Sequence, residues 1–158
     1  MEYRIEYTIE MDAPFHEIID HLFVGNANAR ESRKFDLVVN CTREGEIPFP
    51  TDYAPLCIRI PIRDDPSESA KLLGILQETD VLEQIDSYRK NQRSVLIHCS
   101  MGMQRSCAVT ACYLIRYFRK TPEESIAMIK SKRPVAFFGA CNLLDAIETF
   151  YQSERRCV

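Results

Sequence analysis

Residues 94–120 read as a buried strand feeding directly into a buried helix, joined by one short loop. Ser94-Val95-Leu96-Ile97 is a short apolar run, and residues 106–120 carry apolar side chains almost throughout. A strand and a helix that must both be covered on all sides require a sheet with further elements packed on it. The rest of the chain supplies them. Asp36-Leu37-Val38-Val39-Asn40 is another buried-strand run, His21-Leu22-Phe23-Val24 ends at a Gly25 turn, and Leu56, Ile58, Ile60 and Ile62 alternate as a strand does. Residues 71–89 show helical apolar spacing in two pieces, with a break expected near Thr79-Asp80. Thr121-Pro122-Glu123-Glu124 starts another helix with a capping box, and Leu143, Leu144, Ile147, Phe150 and Tyr151 share one stripe of a last one. The first eleven residues alternate strictly, as an edge strand or as a strand pairing across a homodimer. Strands alternating with helices, then helices only, imply an α/β fold. Its expected centre is a mostly parallel, twisted sheet of about five strands in a three-layer sandwich flanked by helices.

The 158 residues suffice for one domain spanning 1–158, with 1–13 as a strand-like N-terminal extension. A net charge of -3 gives no reason to expect nucleic acid or a membrane surface as partner. No apolar run approaches the roughly 18 residues of a bilayer span, and no signal peptide is visible at the N-terminus. Seven cysteines without CxxC pairs fit neither a disulfide framework nor a zinc site, so a reducing, cytoplasmic setting is expected, with most cysteines acting as small core hydrophobes. No metal and no cofactor is called for.

The connecting loop is His98-Cys99-Ser100-Met101-Gly102-Met103-Gln104-Arg105-Ser106. It stands at the carboxyl end of a strand, where open α/β sheets present their ligand sites. A loop entering a helix N-terminus offers unpaired N–H groups and the positive end of the helix dipole, a cradle for a tetrahedral dianion. The same field favours the anionic form of a thiol, so Cys99 is expected to act as a thiolate nucleophile. Gly102 lets the backbone curl. Arg105 can fork two N–H donors onto two phosphate oxygens as lysine cannot. Ser100, Met101, Gly102, Met103, Gln104 and Arg105 are thus the candidate substrate-binding residues. A bare Cys-x5-Arg is weak by itself, and Cys57 with Arg63 is a second instance. That pair spans an alternating strand with Pro61 and no glycine, so it is structural.

The series His98-Cys99-x-x-Gly102-x-x-Arg105-Ser106 resembles the signature loop of the protein tyrosine phosphatase superfamily. The rest of the chain is similar to its dual-specificity branch. Residues 21–26 are similar to the early strand and turn, Val38-Val39-Asn40-Cys41-Thr42 to the next core strand, and Ile60-Pro61-Ile62-Arg63-Asp64-Asp65 to the loop bearing the general acid. The tyrosine-specific branch has a larger domain and a tryptophan beside its acid, and this chain has no Trp. The resemblance implies hydrolysis of phosphotyrosine and phosphoserine/threonine in proteins through a phosphocysteine. Alternatives are the same chemistry on RNA 5′-phosphates, phosphoinositides or phosphoglycans, or a phosphoprotein-binding module without turnover.

It also implies roles. Asp64 is the expected general acid, with Asp65 as competitor. Ser106 is expected to hydrogen-bond the sulfur and ease thiolate departure, to cap the helix, or to do both. His98 is expected to pin the loop rather than transfer protons, and Asn40 to brace the loop from the neighbouring strand. Met101 departs from the small residue usual at its position and is expected to pack beneath or beside the loop, or instead to shape the pocket wall and with it the substrate preference. Phe137 and Phe138 are expected in the core.

Overall fold

The computed structural model describes residues 13–156. Its sheet contains β1 (Phe15–Ile19), β2 (Leu22–Gly25), β3 (Leu37–Asn40), β4 (Leu56–Arg59) and β5 (Val95–His98), in the spatial order β1-β2-β5-β3-β4. β1 is antiparallel to β2, and every other pairing is parallel. The helices are α1 (Ala29–Ser32), α2 (Ser69–Glu78), α3 (Val81–Lys90), α4 (Arg105–Phe118), α5 (Pro122–Lys132) and α6 (Leu144–Arg156), with a 3-10 turn over Pro66–Glu68.

The register explains why the central strands are apolar without interruption. Leu22, Val95 and Leu37 lie abreast, as do Phe23, Leu96 and Val38, and then Val24, Ile97 and Val39. Because side chains alternate between faces, the first and third rows enter the large core and the middle row enters a smaller one with Ala29 and Phe35. The two outer layers are unequal. Helices α2 to α6 supply the large core, whereas the other face is closed by one-turn α1 and an edge-to-face trio of Phe15, Phe23 and Phe35.

Helix α4 is buried from Arg105 to Ile115 between the sheet and helices α5 and α6, which accounts for its nearly all-apolar sequence. It ends where Arg119 takes a left-handed φ of 54° and its N–H returns to the Leu114 carbonyl. The helix break falls between Glu78 and Val81, where the Thr79 hydroxyl donates to the Ile75 carbonyl at 2.6 Å. The Thr121–Glu124 capping box forms in both directions, at 2.9 and 3.1 Å.

Two elements differ from expectation. The fifth strand is β1, which sequence patterning does not reveal, since within it only Ile18 is fully buried. The alternating first eleven residues, and with them the proposed dimer strand, lie outside the described residues. The alternating run from Leu56 is a strand only as far as Arg59: Leu56 is exposed at the sheet edge, while Ile60 and Ile62 are buried after the chain has left the sheet.

Candidate active site

The loop leaving β5 lies at the middle of the sheet, between β2 and β3. Gly102 has a φ of 68°, and a Cβ there would sit 2.5 Å from the carbonyl carbon and oxygen of Gly25 and 2.6 Å from Nη2 of Arg133. Glycine is therefore required both by its backbone angle and by the close approach of the β2 turn. Gly102 packs backward on this scaffold and does not line the cleft as the other loop residues do.

Arg133, fully buried, holds the loop from behind. Its Nε donates to the Gly102 carbonyl at 2.7 Å and its Nη2 to the Met101 carbonyl at 3.3 Å. Its Nη1 meets the Ala13 carbonyl at 3.1 Å and Nδ1 of His16 at 2.9 Å. With these carbonyls turned away, the N–H groups of residues 100–104 point elsewhere and donate to no acceptor among the described residues. Together with the N-terminus of α4, whose N-cap Gln104 makes no side-chain cap, they form an oxyanion cradle.

Cys99 is almost completely buried, with its sulfur 3.2 Å from Oγ of Ser106. Ser106 is the second residue of α4, so the N-cap reading of it does not hold and its hydroxyl is directed at the sulfur. Arg105, also buried, gives Nη1 and Nη2 to the two carboxylate oxygens of Glu46 at 3.0 and 2.9 Å, and Nη1 to the Ile62 carbonyl at 3.0 Å. This end-on grip uses one edge of the guanidinium. Nε and the second Nη2 proton make no bond among the described residues, and two N–H donors along one edge fit two oxygens of a phosphate. The Arg105 hydrogen bond holds the Glu46 carboxyl below the usual carboxylate range.

The cleft measures about 200 Å³, and Asp64 borders it together with Cys99 and Arg105. One Asp64 oxygen accepts from Nδ2 of Asn142 at 2.8 Å. Asp65 instead accepts from the Ser67 N–H at 2.8 Å and caps the 3-10 turn, away from the cleft. That hydrogen bonding to Ser67 holds its carboxyl below the ordinary range, the wrong direction for an acid. His98 is buried, with Nδ1 3.2 Å from the Cys99 carbonyl. Desolvation pushes its pKa down to about 4, so near neutrality the ring is uncharged and Nδ1–H can donate to that carbonyl.

Asn40 does not reach the catalytic loop. Its side chain accepts from Thr42 N and Oγ1 and donates to the Ile47 carbonyl at 2.9 Å, organising the loop that carries Glu46. Met101 does not pack beneath the loop: it is 66% exposed at the cleft mouth. Phe137 is in the core as expected, but Phe138 is 63% exposed and borders the same cleft. Cys41, Cys107 and Cys112 are core thiols, whereas Cys57 is exposed and Cys141 half-buried, and all of them are free.

Glu46, Arg133 and Asn142 escape sequence reasoning. An acidic residue in a loop and an arginine ending a helix both look like solvated charges, and no local pattern marks their partners. Gln104 is more than a cleft-lining loop residue: its Nε2 donates to the Ala140 carbonyl at 2.6 Å, and its Oε1 accepts from Asn142 N–H at 3.0 Å. Among the described residues no helix is long and apolar enough to cross a membrane, and no three His, Cys, Asp or Glu side chains gather as a metal site requires.

Residues 22–151 match the family described as "Dual specificity phosphatase, catalytic domain". Mouse dual specificity phosphatase 28 is 33% identical over 129 residues, covering 78% of this chain and 76% of that protein. The Slingshot homolog protein phosphatase of Xenopus laevis is 30% identical over 132 residues, 80% of this chain but 18% of that much longer protein. The crystal structure of human DUSP28 superposes with a TM-score of 0.80 at 25% identity, covering 90% of this chain and 96% of that one.

Proposed function

This chain belongs to the dual specificity phosphatase family and is a protein phosphatase; we propose that it cleaves its phosphoprotein substrates through a phosphocysteine formed on Cys99. One observation carries this reading. The Cys99 sulfur, the free edge of Arg105 and the Asp64 carboxyl converge on one cleft at the N-terminus of α4.

The thiolate attacks phosphorus in line, and the bond from phosphorus to the ester oxygen breaks. The loop N–H groups and Arg105 hold the three equatorial oxygens as charge redistributes, an electrostatic effect that usually dominates. Asp64 gives its proton to the departing oxygen. A water then attacks the phosphocysteine, Asp64 takes a proton from it, and the sulfur leaves as a thiolate that the Ser106 hydroxyl stabilises. His98, neutral and behind the loop, holds the Cys99 carbonyl and moves no proton. The chemistry is complete without a metal or cofactor.

The presence of nucleophile, clamp and acid together argues against a binding module without turnover. Among the described residues Arg105 is the one cation bordering the cleft, which argues against the polyanionic phosphoinositide or RNA reading. A single catalytic domain in a reducing, cytoplasmic compartment fits the free thiols.

The test is turnover of a small aryl phosphate by the reduced protein between pH 5 and 8. Cys99→Ser abolishes it. Asp64→Asn lowers kcat by roughly 10²-fold or more, whereas Asp65→Asn changes it less than about twofold. An inert wild type that is folded and reduced sinks the catalytic reading. Equal losses in the two aspartate variants sink the assignment of Asp64.

A further inference from the structure

Few large apolar side chains are exposed among the described residues, and Met101 and Phe138 are much the most exposed of them, at 66% and 63%. Both stand at the mouth of the cleft that holds Cys99. Neither position is an accident of a loose loop. Phe137 has a φ of 55°, a left-handed conformation that is costly for an aromatic residue. It is held there by its own N–H on the Met103 carbonyl at 2.7 Å, with the Phe138 N–H on the Val135 carbonyl at 3.2 Å. The consequence is that Phe137 turns into the core and Phe138 turns out. Gln104 ties the following residues to the catalytic loop through the Ala140 carbonyl and the Asn142 N–H. On the other side, Arg133 anchors the Met101 and Gly102 carbonyls.

We propose that Met101 and Phe138 form a preorganised apolar collar that selects phosphotyrosine over phosphoserine and phosphothreonine. The proposal rests on the phosphatase reading above and names the substrate class of that same site. With its phosphate on Arg105 and the loop N–H groups, a phosphotyrosine carries its ring out through the mouth. There the thioether packs on the ring and the phenyl of Phe138 meets it edge-to-face or offset. A phosphoserine or phosphothreonine offers at most a methyl group to the collar. Its short side chain would also draw the substrate backbone down onto Met101 and Phe138, which stand in its way. The collar therefore acts as a gate by length and as a clamp by aromaticity.

The experiment compares two phosphopeptides identical except for phosphotyrosine or phosphothreonine at one position. Wild type, Met101→Ala, Phe138→Ala and the double variant are assayed on both, with Phe138→Trp and Met101→Leu as conservative variants. The wild type is expected to favour the tyrosine peptide in kcat/KM. Each alanine lowers that ratio about fivefold, and the pair lowers it by roughly tenfold or more, chiefly through KM for the tyrosine peptide. The conservative variants keep most of the ratio. Affinities of the Cys99→Ser protein for the two peptides, with and without the collar substitutions, give the same comparison independently of turnover. A ratio unmoved by the double variant, in an enzyme that turns over normally, overturns the collar and leaves the phosphatase reading standing. A folded, reduced wild type without turnover, whose preference in binding for the tyrosine peptide is lost in the double variant, does the reverse.

Discussion

At the scale of single residues, the arrangement around Arg105 shows how one side chain serves two partners. An arginine aimed at phosphate by its own torsions would lose rotamer freedom each time it bound, whereas Glu46 and the Ile62 carbonyl fix it beforehand. Glu46 takes the Nη1–Nη2 end and leaves the Nε side, so brace and substrate do not compete for the same protons. The sign of its pH dependence follows. A carboxyl held below its ordinary value contributes fully above the unfolded pKa and is lost only as pH falls through the lowered one, so the brace is intact throughout pH 5 to 8. Glu46→Gln keeps the shape but weakens the grip. Its kcat/KM should fall about tenfold and nearly evenly across pH 5 to 8. Asp64→Asn, by contrast, should change the shape of the profile. A Glu46→Gln enzyme with wild-type kcat/KM would show that Arg105 needs no brace.

At the scale of elements, the segment between α5 and α6 behaves as a second wall built onto the catalytic loop. Arg133, Phe137, Gln104 and Asn142 each bond across that seam, and Asn142 continues the link to Asp64 on the loop after β4. Asn142→Ala frees one Asp64 oxygen and lets the acid drift. Proton donation matters most when the leaving oxygen is poor. The variant should therefore lose about tenfold in kcat on phenyl phosphate and little on nitrophenyl phosphate, a contrast that a steady-state comparison of the two esters reads directly. Equal losses on both would mean that Asn142 supports the fold rather than the acid. This seam was invisible beforehand for a definite reason. The 98–106 loop is contiguous, and its chemistry can be read from glycine, cysteine and arginine at fixed offsets. Its supports come from 31, 38 and 59 residues away, as in Arg133 to Gly102, Asn142 to Gln104 and Arg105 to Glu46, and Asn142 reaches Asp64 across 78 residues. The same division holds for the strands. β2, β3 and β5 announced themselves because both of their faces are buried, whereas β1, at the sheet edge, depends on pairing with β2 rather than on its own pattern.

For the whole molecule, burying the catalytic loop at the centre of the sheet carries a thermodynamic consequence. His98 closes β5, fully buried between β2 and β3, and is thereby kept neutral. Its pKa is about 4 in the folded chain, against roughly 6.5 when unfolded. Between those values the unfolded chain binds the extra proton, so stability rises with pH across that window. The contribution is complete above pH 6.5 and is lost progressively as pH falls toward 4. It amounts to about 2 kcal/mol by pH 5 and on the order of 3 kcal/mol in full. The carboxylates whose pKa values are lowered, Glu46 among them, add their losses only below their ordinary range, so among the described groups with a shifted pKa it is His98 that acts between pH 7 and 5. Urea unfolding at pH 7 and pH 5 measures it. Wild type should lose about 2 kcal/mol between the two, and His98→Asn, whatever its stability at pH 7, should show a much flatter slope. Identical slopes in the two proteins would mean that the buried ring accepts its proton without penalty, and the loop would then have to open in the folded state well before the molecule unfolds. Since catalysis requires that loop to keep its N–H groups aimed at phosphate, the lower pH limit of activity and the fall in stability should then separate. With His98 titrating only on unfolding, the loop keeps its aim for as long as the molecule stays folded.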